Sequence, residues 1–177
     1  MYGGCYAPTI LKGVRMPGKS FLEAWASRNT EMAMQYLLPE ETERVRNMLL
    51  NTVQEGTENG EEYRKLASRV QSVIQVDREK AISIVRNVFG AVLSEDRFLG
   101  LLQSGFPHKK WICPAKPIRE LGGHRAAGRK YTRKPCPMEE PFLVNGVPLR
   151  FPHDYTTGHP EECFGCQCLL GISRFLE

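Results

Sequence analysis

Apolar residues recur at helical spacing through the first hundred residues of this 177-residue chain, and the recurrence stops at Gly105. A period near 3.6 buries one face only as a helix, whereas a proline-broken chain without it must build its core from strands, turns and bound groups. The expected fold class is therefore α+β. A helical N-terminal region of four to five helices should precede a small, irregular, β-hairpin-containing C-terminal region that is a candidate for a zinc staple.

Residues 1–19 hold four glycines and two prolines without periodicity and read as an extended arm. Ser20 and Glu23 form a capping box, and Phe21, Ala24, Trp25 and Met32 then recur at helical spacing, so the first helix should cover residues 20–36. Pro39 and the acidic Glu40, Glu41 and Glu43 suit the start of a second helix, whose stripe Val45, Met48, Leu49 and Val53 ends at Gly56. Asn59 with Glu62 offers a cap for a third, with Leu66, Ala67, Val70 and Ile74 on one face. Asp77 opens a fourth helix whose apolar stripe is wide enough for a central position, and residues 94–103 suggest a short fifth. Beyond it, Phe142, Leu143 and Val144 face Val147, Leu149 and Phe151 across Asn145-Gly146, a strong hairpin signal. The expected organisation is an arm (1–19), a helical region (20–104) and a Cys/His-rich, basic, β-containing region (105–177).

That last region holds His159, Cys163, Cys166 and Cys168 within ten residues. Thiolates so close converge on one tetrahedral ion only if the backbone turns sharply between them, and Gly165 permits such a turn. Cys113, His124 and Cys136 are upstream donors able to complete the set. Six cysteines are too sparse for a disulfide scaffold, and nothing marks the chain as secreted, so the cluster is either a metal ligand set or free thiols.

Charge is as uneven as periodicity. Residues 1–104 carry 13 basic and 13 acidic side chains, whereas residues 109–134 alone carry nine basic against one acidic. Lys109, Lys110, Lys116, Arg119, Arg125, Arg129, Lys130, Arg133 and Lys134, interleaved with Trp111 and Tyr131, are what a phosphate-binding surface contains. The glycines and prolines around them argue against a recognition helix, so contact with double-stranded DNA would be non-specific. A solvated loop, or one that docks on an acidic neighbour, is the plainer reading.

In order along the chain come "LPEETERVRNMLLNTVQEG" (38–56), "YRKLASRV" (63–70), "REKAISIVRNVFG" (78–90), "HKKWI" (108–112), Arg119 with His124 and Gly128, "EEPFLVNGVPLRFPHD" (139–154) and Cys166-Gln167-Cys168. In this order and spacing they resemble the phage Mu F-like head morphogenesis family, the minor capsid proteins of tailed phages, over roughly residues 35–172. The resemblance implies a structural head protein in the virion, assembled in the host cytoplasm. Its implied partners are the portal, the major capsid protein or scaffold, and packaged DNA. It also implies a structural zinc held by His124, Cys166 and Cys168, with His159 or Cys163 as the fourth ligand.

Neither a membrane nor a small-molecule substrate is expected: no apolar run approaches the ~20 residues of a spanning helix. An enzyme is not expected either. A zinc deaminase needs His-x-Glu well ahead of its cysteines, and the one histidine here with a glutamate two residues on, His159, stands only four residues before Cys163. The alternatives are a zinc-ribbon-like nucleic-acid-binding module and, more distantly, a zinc-dependent hydrolase or deaminase.

Overall fold

The computed structural model describes residues 23–115 and 122–173. The arm (1–19), Ser20 and Phe21 of the expected first helix, Lys116 and Arg119 lie outside the described residues. Within them the fold is α+β. The helices are α1 (Arg28–Leu37), α2 (Glu43–Glu58), α3 (Tyr63–Ile74), α4 (Arg78–Gln103) and α5 (Gly122–Arg133). The strands are β1 (His108–Ile112), β2 (Cys136–Pro137), β3 (Phe142–Val144), β4 (Val147–Leu149) and β5 (Leu169–Ser173). No described helix is long and apolar enough to cross a membrane.

Among the described residues, helices α1 to α4 precede Gly105 and residues 23–25 are helical as well, with three differences from the periodicity. The first breaks at Ala26 and Ser27, because Ser27 caps α1: its Oγ accepts from the Thr30 amide at 3.3 Å and its carbonyl from Glu31. Thr42 rather than Pro39 caps α2, its Oγ1 accepting from the Val45 amide. The fourth and fifth helices are one, since nothing between Asp77 and Gly105 breaks the backbone. Asp77 Oδ1 accepts from the Lys80 amide at 2.8 Å at one end, and Gly105 takes a φ of +69° at the other.

Leu37–Arg86 forms one compact unit. Leu49 and Val53 of α2 and Leu66, Ala67 and Val70 of α3 are buried, one stripe on each helix. A Cβ at Gly56 would fall 2.6 Å from Leu66 Cδ1, so the missing side chain lets α2 and α3 approach. Arg69 spans Glu61 and Glu55 at 2.9 and 2.8 Å.

The second unit takes the described residues 23–36 and those from Asn87 onward. Its sheet is antiparallel, in the order β2-β1-β5, with Trp111 paired to Leu170 in register. Strands β3 and β4 form the hairpin that Asn145-Gly146 announces, with φ of +51° and +81° at the two turn residues. Trp111, Tyr131, Phe142, Phe151 and Leu170 fill the core, and Phe142 meets the rings of Trp111 and Tyr131 edge-on at 5.2 and 4.9 Å. Tyr131 Oη accepts from the Leu143 amide at 2.8 Å.

Helix α5 was not expected in the basic segment. Its buried residues His124, Ala127, Gly128 and Tyr131 fall at helical spacing, and they pack it on β1 and β3. Glycines are tolerated there because burial of that face outweighs their poor propensity of about 1 kcal/mol each.

Polar groups are buried in this unit as well. Asn29 donates to the carbonyls of Ala91 and His153, and its Oδ1 accepts from the Tyr155 amide at 2.6 Å. Asn87 Oδ1 accepts from Tyr155 Oη and from the Gly165 amide. Buried Asp154 accepts from the Arg150 amide and guanidinium and from Thr156. His153 sits at a φ of +64°, its ring lying where a Cβ of Gly90 would be.

Candidate metal centre

The segment ahead of β5 folds back on itself through a short 3-10 turn, Pro160–Glu162. The Cys163 and Phe164 amides donate to the Pro160 carbonyl, and the Cys166 amide to the Cys163 carbonyl. Gly165 takes a φ of +73°. This reversal aims Cys166 and Cys168 at the first turn of α5, where His124 stands.

His124, Cys166 and Cys168 are all buried, and their ligating atoms lie within 4.8 Å of one another. His124 Nδ1 is 3.5 Å from Cys166 Sγ and 3.6 Å from Cys168 Sγ. The Cys168 amide donates to Cys166 Sγ at 3.4 Å, a contact that favours negative charge on the sulfur. On the far side of the ring, Nε2 is 3.0 Å from Glu162 Oε2, and Asn145 Nδ2 donates to Glu162 Oε1 at 2.8 Å. With Nε2–H donating to Glu162, the Nδ1 lone pair points at the two sulfurs, the tautomer a metal ligand needs. Trp111 meets the imidazole edge-on at 5.4 Å and limits its rotation. A Cβ at Gly123 would run into the Asn145 carboxamide, so the hairpin tip, the 3-10 turn and the start of α5 close on each other here. The three side chains together could hold a metal ion.

Electrostatics agree with the geometry. Burial alone would lower the His124 pKa, but the Cys168 sulfur and Glu162 outweigh it and raise it. The Cys168 thiol is pushed far up, first by its contact with Cys166 and then by burial. The buried Cys168 thiol, beside a second sulfur, resists ionisation unless a cation joins them, and a divalent ion reverses that cost.

The other candidates lie elsewhere. His159 is exposed and pairs through Nδ1 with Glu161 at 2.8 Å. Cys163 packs in an apolar pocket with Ala33, Ala91 and Tyr155, and burial drives its thiol up strongly. The Cys136 thiol donates toward the carbonyls of Glu140 and Pro141, and Cys113 lies against Gly128. None of these four joins the His124 group. Glu162 and Asn145, which orient the imidazole, escaped the sequence reading: an acid before a cysteine cluster reads as a solvated charge, and nothing local ties it to a histidine 38 residues away.

Of the basic candidates, Lys109 is corrected. Alternation along β1 turns Lys109 and Trp111 inward, and the lysine is fully buried. Its ammonium donates to the Arg150 carbonyl at 2.9 Å and lies 4.9 Å from the Phe98 and Phe142 rings. Burial lowers its pKa to about 8. Lys110 is half-buried, whereas Arg125, Arg129, Lys130, Arg133 and Lys134 are exposed along α5. Comparison with protein-family models, curated proteins and solved structures finds no match to this chain.

Proposed function

We propose that His124, Cys166 and Cys168 hold a structural zinc ion that staples the C-terminal unit of a minor head protein of a tailed phage. The observation that carries the zinc is the spacing of its donors. Zinc–sulfur bonds of about 2.3 Å and zinc–nitrogen bonds of about 2.0 Å at tetrahedral angles separate nitrogen from sulfur by about 3.5 Å. The corresponding separations here are 3.5 and 3.6 Å. Two thiolates and an imidazole suit zinc by softness as well. The fourth position falls to water or to a donor from another segment. Glu162 is committed to the ring nitrogen away from the sulfurs, where it orients the ligand rather than serving as a base at the ion, and burial of all three donors supports a structural role.

The head reading is supported by the order of sequence motifs over residues 35–172. On that reading the chain acts by binding, its partners being the portal, the major capsid protein or scaffold, and packaged double-stranded DNA, the last through the exposed basic face of α5. A cellular zinc-containing nucleic-acid-binding module would share that face. Mass spectrometry of purified phage heads separates the two: the chain is expected in the particle, and its absence would overturn the head reading.

A further inference from the structure

A solvent-open groove of about 370 Å³ lies between α5 and the residues that leave β1, its walls including Ile112, Pro114 and Ala115 on one side and Arg125, Arg129 and Arg133 on the other. The three arginines are four residues apart, so they form one stripe with about 6 Å of helix rise between neighbours. Among the described residues, no acidic side chain lines the groove. A Cβ at Gly128 would come within 3.0 Å of Cys113 Cβ, and this close seat of the helix on the strand's exit makes the floor. Arg125 Nη2 donates to the Ala115 carbonyl at 2.9 Å, which fixes one guanidinium in the wall. Among the described residues, no carboxylate forms an ion pair with Arg129 or Arg133. Like charges at this spacing repel, and an anion in the groove offsets that cost.

We infer that this groove binds the phosphodiester backbone of a nucleic acid, with Arg129 and Arg133 as the phosphate contacts and Arg125 as a fixed wall. Guanidinium groups grip phosphate oxygens in pairs, and their helical stagger follows a strand rather than a single ion. Apart from the arginines, the lining offers only the Cys113 thiol and the Thr132 hydroxyl as side-chain hydrogen-bonding groups, too few to read a run of base edges, so binding is indifferent to sequence. Lys130, on the helix, and Lys134, just past its end, do not line the groove, and the Lys130 ammonium lies 4.7 Å from the Tyr131 ring centre.

The inference rests on the DNA-contact part of the proposed function and sharpens it to one groove. The test is fluorescence anisotropy of the full chain with labelled duplex and single-stranded oligonucleotides across a salt series. Arg129→Gln/Arg133→Gln should lower the slope of log affinity against log salt by about 1.8 on duplex and about 1.4 on single strands, two phosphate contacts' worth. Lys130→Gln/Lys134→Gln removes the same charge from the end of the helix and the residue after it and should lower it by less than half as much. Equal losses in the two variants would overturn the groove and leave DNA contact standing, whereas no binding by the unaltered chain would overturn both. Polyglutamate that competes better than unlabelled duplex would overturn the inference in favour of an acidic protein neighbour.

Discussion

Leu37–Arg86 and the unit that carries the candidate metal site are both held by burial, but not of the same kind of group. In the first, interchangeable aliphatic side chains such as Leu49, Val53, Leu66 and Val70 line two helices, and the charged contacts of Arg69 lie toward solvent. In the second, Asn29, Asn87, Asp154, His124 and His153 are buried beside the aromatic core, each with a geometry to satisfy. Apolar stripes tolerate substitution of like for like, whereas a buried polar group left without its partner costs about 1–3 kcal/mol. The second unit should therefore be the one that single changes break.

The largest effect is expected at the thiols. Cys166→Ser or Cys168→Ser should release the metal and melt the second unit, while circular dichroism keeps much of the helical signal of α2 and α3, whose apolar faces depend on no ligand. Next is acid. Burial, and then the nearby charge of His124, lowers the His153 pKa to about 4 from an ordinary value of 6.5. The unfolded chain therefore takes up a proton that the folded chain refuses. Stability from this group is present above pH 6.5 and lost as pH falls toward 4, roughly 3 kcal/mol in all. His153→Asn, which tolerates the positive φ, should flatten that part of the pH profile in denaturant titrations at matched metal content. All four histidines lie outside Leu37–Arg86, so the unfolding of that unit should show no such step.

Two glycines of α4 make a finer comparison. Alanine normally improves a helix interior by up to about 1 kcal/mol, and Gly100, with no atom near its missing Cβ, should show that gain. At Gly90 a Cβ would come 2.7–3.0 Å from the buried His153 ring, so Gly90→Ala should lose about 1–3 kcal/mol in thermal melts despite the same propensity change. Glu162→Gln should weaken metal binding about 10–100-fold in chelator competition and, because that affinity is part of the folding free energy, destabilise the loaded protein in thermal melts by a corresponding amount of about 1–3 kcal/mol. Smallest of all, Arg69→Ala should cost a little stability at low salt and almost none at high salt.

How much of this was legible in the sequence follows from where each signal resides. Stripes such as Leu66, Ala67, Val70 and Ile74, the Asn145-Gly146 turn and the Gly165 reversal are local, and each was readable because backbone geometry ties residue type to position. Helix α5 was legible too: His124, Ala127, Gly128 and Tyr131 have helical spacing, but three glycines obscured it. The break at Ser27 was hidden by a competing capping box at Ser20. The partition of Cys163 from Cys166 and Cys168, the inward turn of Lys109 and the service of Glu162 to His124 depend on contacts between distant segments, which no local pattern encodes.

The central claim is that His124, Cys166 and Cys168 converge on one zinc ion, and X-ray absorption at the zinc edge tests it most directly. Protein purified without chelator should carry about one zinc per chain, with two sulfur neighbours at about 2.3 Å and nitrogen at about 2.0 Å. Metal-free protein in which Cys166 and Cys168 react freely with a thiol reagent while the fold is intact would contradict it.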